Sequence, residues 1–67
     1  MKVRFNKQIT VDFVSENTTH EIVKEKTFYN NQVVEILSSD ENVRGYLDLL
    51  LEEGLAIGIP KQGLTIL

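Results

Sequence analysis

Val3, Phe5, Ile9, Val11 and Phe13 fall on odd positions, and Lys2, Arg4, Gln8, Thr10 and Asp12 fall on even ones. A period of two marks a strand with one buried face. Lys7 interrupts it, and two arrangements keep the parity. One is a long strand bent at Asn6-Lys7. The other is a hairpin with loop Asn6-Lys7-Gln8, which sets Phe5 opposite Ile9 and Val3 opposite Val11. A two-residue loop would set Phe5 opposite Gln8 and is rejected. Residues 15–19, SENTT, read as a turn, and residues 20–29, HEIVKEKTFY, as a strand. Asn30-Asn31 suits a type I′ hairpin turn into QVVEIL, because Asn tolerates positive φ. That register puts Phe28 opposite Val33, Thr27 opposite Val34 and Lys26 opposite Glu35, the last an opposite-charge pair.

Beyond residue 37 the pattern changes to a helical one. Ser38 with Glu41 makes a capping box, and Asp40 and Glu41 suit the positive end of a helix dipole. Val43, Leu47, Leu50 and Leu51 follow at i, i+4, i+7 and i+8, bordered by Tyr46, with Gly54 at the C-terminal cap. The spacing predicts a core-facing helix of about three turns, weakened by Gly45, since an interior glycine costs roughly 1 kcal/mol relative to alanine. After Gly54 the period returns to two at Leu55, Ile57 and Ile59. PKQG, residues 60–63, then makes a turn into LTIL, setting Ile59 opposite Leu64 and Ile57 opposite Ile66. The expected fold is α+β. It is a small antiparallel, strongly curled sheet or SH3-like barrel of about five strands, with one helix inserted before the C-terminal hairpin. An open sheet packed on the helix is the alternative.

At 67 residues the chain forms one domain, residues 1–67. A domain this small buries only about 60% of the surface its unfolded chain exposes, and such domains often recruit disulfides, metals or a second chain. Cysteine is absent and His20 is the only histidine, so disulfides, thiolate sites and a His-based zinc site within one chain are excluded. Good packing or self-association is left. Hydrophobic residues make up 42% and charged residues 25%, the balance of a globular chain. Residues 1–37 carry five basic and five acidic side chains, whereas residues 38–67 carry two and five, giving the net charge of −3. An acidic surface repels phosphate backbones and anionic lipid. No apolar run approaches the roughly 18 residues of a membrane span, and MKVRFNKQITVDF lacks the apolar region of a secretory leader. A cytoplasmic location, in a host cell or a virion, is the expectation. The sequon Asn17-Thr18-Thr19 reads as a polar turn.

The chain offers no catalytic constellation. Gly45, Gly54, Gly58 and Gly63 are scattered, so no phosphate loop forms, and Ser15, Ser38 and Ser39 sit in turn or cap settings. His20 reads as an exposed residue at a strand start. Asp40, Glu41, Asn42, Asp48, Glu52 and Glu53 lack the loop spacing of a calcium site and read as a solvated face. No catalytic residue, metal ligand or cofactor is assigned. For partner binding the helical wheel singles out Leu49, about 120° from the centre of the apolar stripe, with Gly45 and Glu52 beside it. That notch predicts a homodimer with Leu49 in its interface. The competing class is single-stranded nucleic acid held by Lys24, Lys26 and Arg4 with Tyr29 as a stacking platform. Interleaved Glu21, Glu25 and Glu35 oppose it, as does the sign of the net charge.

MKVRF at the start, Asn31-Gln32-Val33-Val34-Glu35-Ile36 in the middle and Glu52-Glu53-Gly54-Leu55-Ala56 near the end together resemble small proteins encoded by tailed bacteriophages. Those open with M-K-V-R and a hydrophobic residue, continue with G-D-V-V-E-L and close with a helix ending E-x-G-L-A. Asn31 stands where that pattern has Gly, and residues 14–27 depart from it. The resemblance implies a virion-associated or host-interaction role and transfers no active site. The expected function is therefore non-enzymatic protein–protein interaction, with single-strand binding as the alternative.

Overall fold

The structure is a computed structural model that describes residues 1–15 and 21–67. Its strands are β1 (Lys2–Phe5), β2 (Ile9–Val14), β3 (Ile22–Phe28), β4 (Val33–Glu35), β5 (Ser38–Val43), β6 (Tyr46–Leu51), β7 (Gly54–Pro60) and β8 (Leu64–Ile66), with a 3-10 turn at Lys61–Gly63. They form two antiparallel sheets, one ordered β4-β1-β8 and the other β3-β2-β7-β6-β5. The sheets share one core but do not close, and no α-helix exists among the described residues. The expected α+β fold, whether barrel or helix-covered sheet, is thereby corrected.

The alternation at the N-terminus holds, since Val3, Phe5, Ile9, Val11 and Phe13 all face the core. The chain bends between Phe5 and Ile9 and carries β1 and β2 into different sheets. Phe5 therefore lies opposite Leu64 and Ile9 opposite Phe28, and the three-residue hairpin does not form. The bend is tied down where Asn6 N–H donates to Gly63 O at 2.8 Å. The rings of Phe5 and Phe28 stack across the sheets, 4.5 Å between centroids and 6° from parallel.

Asn30-Asn31 does turn the chain, with Gln32 N–H donating to Tyr29 O at 3.0 Å. Only Asn31 has positive φ, at 71°, whereas a type I′ turn needs it at both central residues. The turn delivers the chain from one sheet to the other, so β3 and β4 never pair. Lys26 lies opposite Val11, and Glu35 lies opposite Lys2.

The largest correction falls on residues 38–53. They form a hairpin, β5–β6, around Arg44-Gly45, followed by a second tight turn at Glu52-Glu53 into β7. Leu47, Leu49 and Leu51 alternate into the core, while Val43 is 64% exposed. Leu47 and Leu51 are four residues apart and fit both periods, so Leu49 and Leu50 alone could separate strand from helix. Gly45, awkward inside a helix, takes φ 87° in the hairpin turn. β7 runs between β2 and β6, and β8 pairs with β1, so the expected terminal hairpin is absent. An extra residue in β7 opposite Asp48 forms a bulge. Gly58 supplies its φ of 70°, and its N–H donates to Asp48 Oδ1 at 3.0 Å. The bulge shifts the parity, so Ala56 and Ile59 face the core while Leu55 and Ile57 lie half-buried on the outer side.

Two substitution pairs check these assignments. Leu49→Ala is expected to cost about 2–5 kcal/mol in denaturant unfolding, and Leu50→Ala about 1 kcal/mol or less; the reverse order would restore the helical face. Asn31→Gly is expected to be neutral or mildly stabilising and Asn31→Val clearly destabilising, by about 1–2 kcal/mol. Equal melting of the two variants would contradict the positive φ.

Candidate functional site

The residues expected to make a partner-binding notch are not brought together. Leu49 is 1% exposed, in the core between Ser39 of β5 and Ala56 of β7. Gly45 sits in the β5–β6 turn and Glu52 in the β6–β7 turn, at opposite ends of β6. An interface through Leu49 is therefore withdrawn.

The residues of the nucleic-acid alternative are separated as well. Arg4 lies in the three-stranded sheet beside Val33 and Thr65. Lys24 and Lys26 lie on the core-facing side of β3, an edge strand, opposite Phe13 and Val11. Their ammonium groups lie over aromatic rings, Lys24 Nζ 4.8 Å from the Phe13 centroid and Lys26 Nζ 5.2 Å from that of Phe28. Both ammonium groups donate to Glu53 of the β6–β7 turn at 3.1 Å. Burial pushes the Glu53 carboxyl up, but the two lysine hydrogen bonds outweigh it and hold the group below the usual glutamate range. Inward-pointing charge on an edge strand blocks pairing with another chain. The lysines thus fasten and protect an edge, with Glu53 balancing their charge. Tyr29 is exposed beside the turn that follows.

A second ion pair fastens the opposite end. Glu41 accepts from Gly45 N–H at 2.9 Å and from Lys61 Nζ at 2.8 Å, and both contacts hold its carboxyl below the usual range. Lys61 N–H in turn donates to Gly45 O at 2.9 Å, joining the β5–β6 turn to the 3-10 turn. Two open hollows of about 570 and 500 Å³ flank this clamp. Ser39 lines one and Lys7 the other, with no imidazole or free carboxylate beside either among the described residues. Among the described residues no group of three His, Cys, Asp or Glu side chains could hold a metal ion. His20 and the sequon lie outside the described residues.

The outer face of the five-stranded sheet carries what the sequence pattern did not single out. Ladder partners share a face of a sheet. Ile22 lies opposite Val14, Val14 opposite Leu55, Leu55 opposite Leu50 and Leu50 opposite Ser38. This apolar row crosses β3, β2, β7 and β6 on the side away from Phe13, Ala56 and Leu49. Ile22 is 55% exposed, Leu50 and Leu55 are half-buried, and Val14 is buried at 2% outside the contiguous core cluster. The next row reads Glu25, Asp12 and Ile57, then, past the bulge, Asp48 and Asp40. Asp48 also accepts from Asn42 Nδ2 at 2.8 Å. Among the described residues, no lysine or arginine pairs with Asp12, Glu25, Asp40 or Asp48; the lysines that pair serve Glu41 and Glu53, and the N-terminal ammonium pairs with Glu35. The signal for the apolar row was present in Phe13-Val14 and Leu49-Leu50-Leu51. Adjacent apolar residues in a strand must face both ways.

No protein-family model, curated protein or solved structure matches the chain. Among the described residues no helix is long and apolar enough to cross a membrane.

The Glu53 clamp has a pH signature. A carboxyl with a depressed folded-state pKa contributes stability above its unfolded value and loses it as pH falls through the folded one. Acidification through and below the usual glutamate range is expected to destabilise wild type more than Glu53→Gln, by at most about 1 kcal/mol since the lysines are exposed. Glu41 contributes equally to both proteins. Thermal melts across that range check it, and identical slopes would remove the clamp.

Proposed function

We propose that the chain is a non-enzymatic protein-binding module whose contact surface is the outer face of β3-β2-β7-β6. The observation that carries this is the row Ile22–Val14–Leu55–Leu50, in which Ile22, Leu55 and Leu50 reach the surface around a buried Val14. An antiparallel sheet with one face on a core ordinarily turns polar residues to water on the other. Here Ile22 is exposed and Leu50 and Leu55 are half-buried over the buried Val14, and apolar surface on an outer face, rimmed by charge, is how a recognition surface is built. The edges of the same sheet support the reading. β3 is guarded by Lys24 and Lys26, and β5 presents the polar run Ser38-Ser39-Asp40-Glu41-Asn42. Strand addition is opposed at both edges, which leaves the face. The likeness of MKVRF and the two later stretches to small phage proteins suggests a virion-associated or host-interaction setting for that contact.

The test is a photo-crosslinking residue placed at Leu50, on the row, or at Arg4, on the other sheet, in cells that make the protein. Discrete protein adducts from position 50, at least about tenfold above those from position 4, are the expected result for a surface that concentrates binding. An absence of adducts at 50, or the same adducts from both positions, overturns the proposal.

A further inference from the structure

We infer that the partner presents a basic amphipathic helix to this face, its apolar stripe on the Ile22–Leu50 row and its Lys/Arg stripe on the acidic row beside it. The inference rests on the proposed protein-binding role and specifies the chemistry of what is bound. Asp12 and Val14 are two residues apart in β2, as are Asp48 and Leu50 in β6. The rows therefore run parallel about 7 Å apart, and from Glu25 on β3 to Asp40 on β5 the acidic row spans about 19 Å. A helix offers an apolar and a charged stripe side by side on one surface, and about 13 residues of it cover that length. A single strand turns alternate residues to opposite faces and would meet one row only.

The charge sets the partner's sign. The protein brings ammonium groups to within 3.1 Å of Glu53 and 2.8 Å of Glu41. It brings none to Asp12, Glu25, Asp40 or Asp48 among the described residues. Asp40 and Asp48 stand directly opposite each other, an arrangement that costs stability when no cation intervenes. Asn42 and Gly58 N–H orient Asp48 but do not neutralise it. Of the basic residues outside the two clamps, Lys2 and Arg4 lie in the other sheet, Lys7 at the bend and Arg44 in the β5–β6 turn, and none of them forms an ion pair with these carboxylates among the described residues. Phosphate and anionic lipid are repelled by such a row. A second copy would add four more uncompensated carboxylates to the interface. A cationic helix satisfies both rows together.

The probe is a capped 14-residue helical peptide with a leucine stripe flanked by lysine, set against the same peptide with glutamate for lysine. Binding is read by fluorescence anisotropy, and its place by amide NMR shifts. The lysine peptide is expected to bind at least about tenfold more tightly, more weakly as salt rises, with shifts on β2, β7 and β6. Asp40→Lys and Leu50→Gln, each confirmed folded by thermal melting, are each expected to weaken it about tenfold. Full binding by Leu50→Gln would mean unspecific charge attraction and overturn the inference, as would a wild-type dimer that Leu50→Gln dissolves in sedimentation. Equal binding of both peptides on the row would overturn the basic partner while keeping a protein-binding face. Adducts from position 50 with no peptide bound do the same, whereas neither adducts nor binding removes both.

Discussion

The stack of Phe5 on Phe28 is the contact on which the two-sheet arrangement depends. Phe5 belongs to β1 and Phe28 to β3, and no strand is shared between their sheets. The chain passes between the sheets four times, at β1–β2, β3–β4, β4–β5 and β7–β8. Two of the crossings meet at these rings. Asn31 N–H donates to Phe5 O at 2.7 Å, and Phe5 N–H donates to Gln32 O at 2.9 Å, so the turn after Phe28 is bonded to the backbone of its stacking partner. Ile9 opposite Phe28 and Leu64 opposite Phe5 extend the contact along both ladders. Large flat rings suit this place because one pair joins two layers that no hydrogen-bond ladder can join.

The same arrangement leaves edges. Four strands, β3, β5, β4 and β8, end their sheets, and an unprotected edge is a template for association. Ion pairs stand at two of the openings. Glu53 draws Lys24 and Lys26 across the rings of Phe13 and Phe28, and Glu41 draws Lys61 to the β5–β6 turn. Each is an exposed contact worth little alone. Its value lies in what the lysine stems cover and which edge they occupy. In a chain with no disulfide, long side chains shield aromatic surface that so small a core leaves open.

The sequence shows which residues point inward over 3–13, because five apolar residues in strict alternation admit one reading of the faces. It does not show their partners, since parity survives whether the chain folds back at Asn6-Lys7 or bends across to another sheet. Asn30 and Asn31 carry the same tolerance of positive φ, but only Asn31 adopts it, so the sequence located the turn and not its type. Residues 38–53 misled because Ser38, Glu41, Leu47, Leu51 and Gly54 satisfy helical capping and spacing while equally satisfying a hairpin. Gly45 between Arg44 and Tyr46 was the local objection to a helix, and tertiary pairing decided the matter. The partner-binding residues inherited that error. Leu49 is exposed on a helical wheel and buried on a strand, and Leu50 exchanges places with it.

That exchange also explains why the outer row is visible only once the pairing is known. Val14, Ile22, Leu50 and Leu55 are scattered over forty-two positions of sequence and gather because β2 lies between β3 and β7. Each can be assigned to a core while the topology is open. Once Phe13, Ala56 and Leu49 fill the inner row, no inner place remains for the row behind them. A sheet of five strands in a chain of this length therefore has more apolar side chains than its one core can take. Part of the surplus, Ile22, Leu50 and Leu55, lies on this outer face beside carboxylates that no lysine or arginine pairs with among the described residues, and part, such as Val33, Leu37 and Ile66, lies elsewhere on the surface. The remaining charged pairs are consumed at the edges. Among the described residues, that face sets Ile22, Leu50 and Leu55 beside Asp12, Glu25, Asp40 and Asp48, and the sign of that charge is what the proposed basic partner would answer.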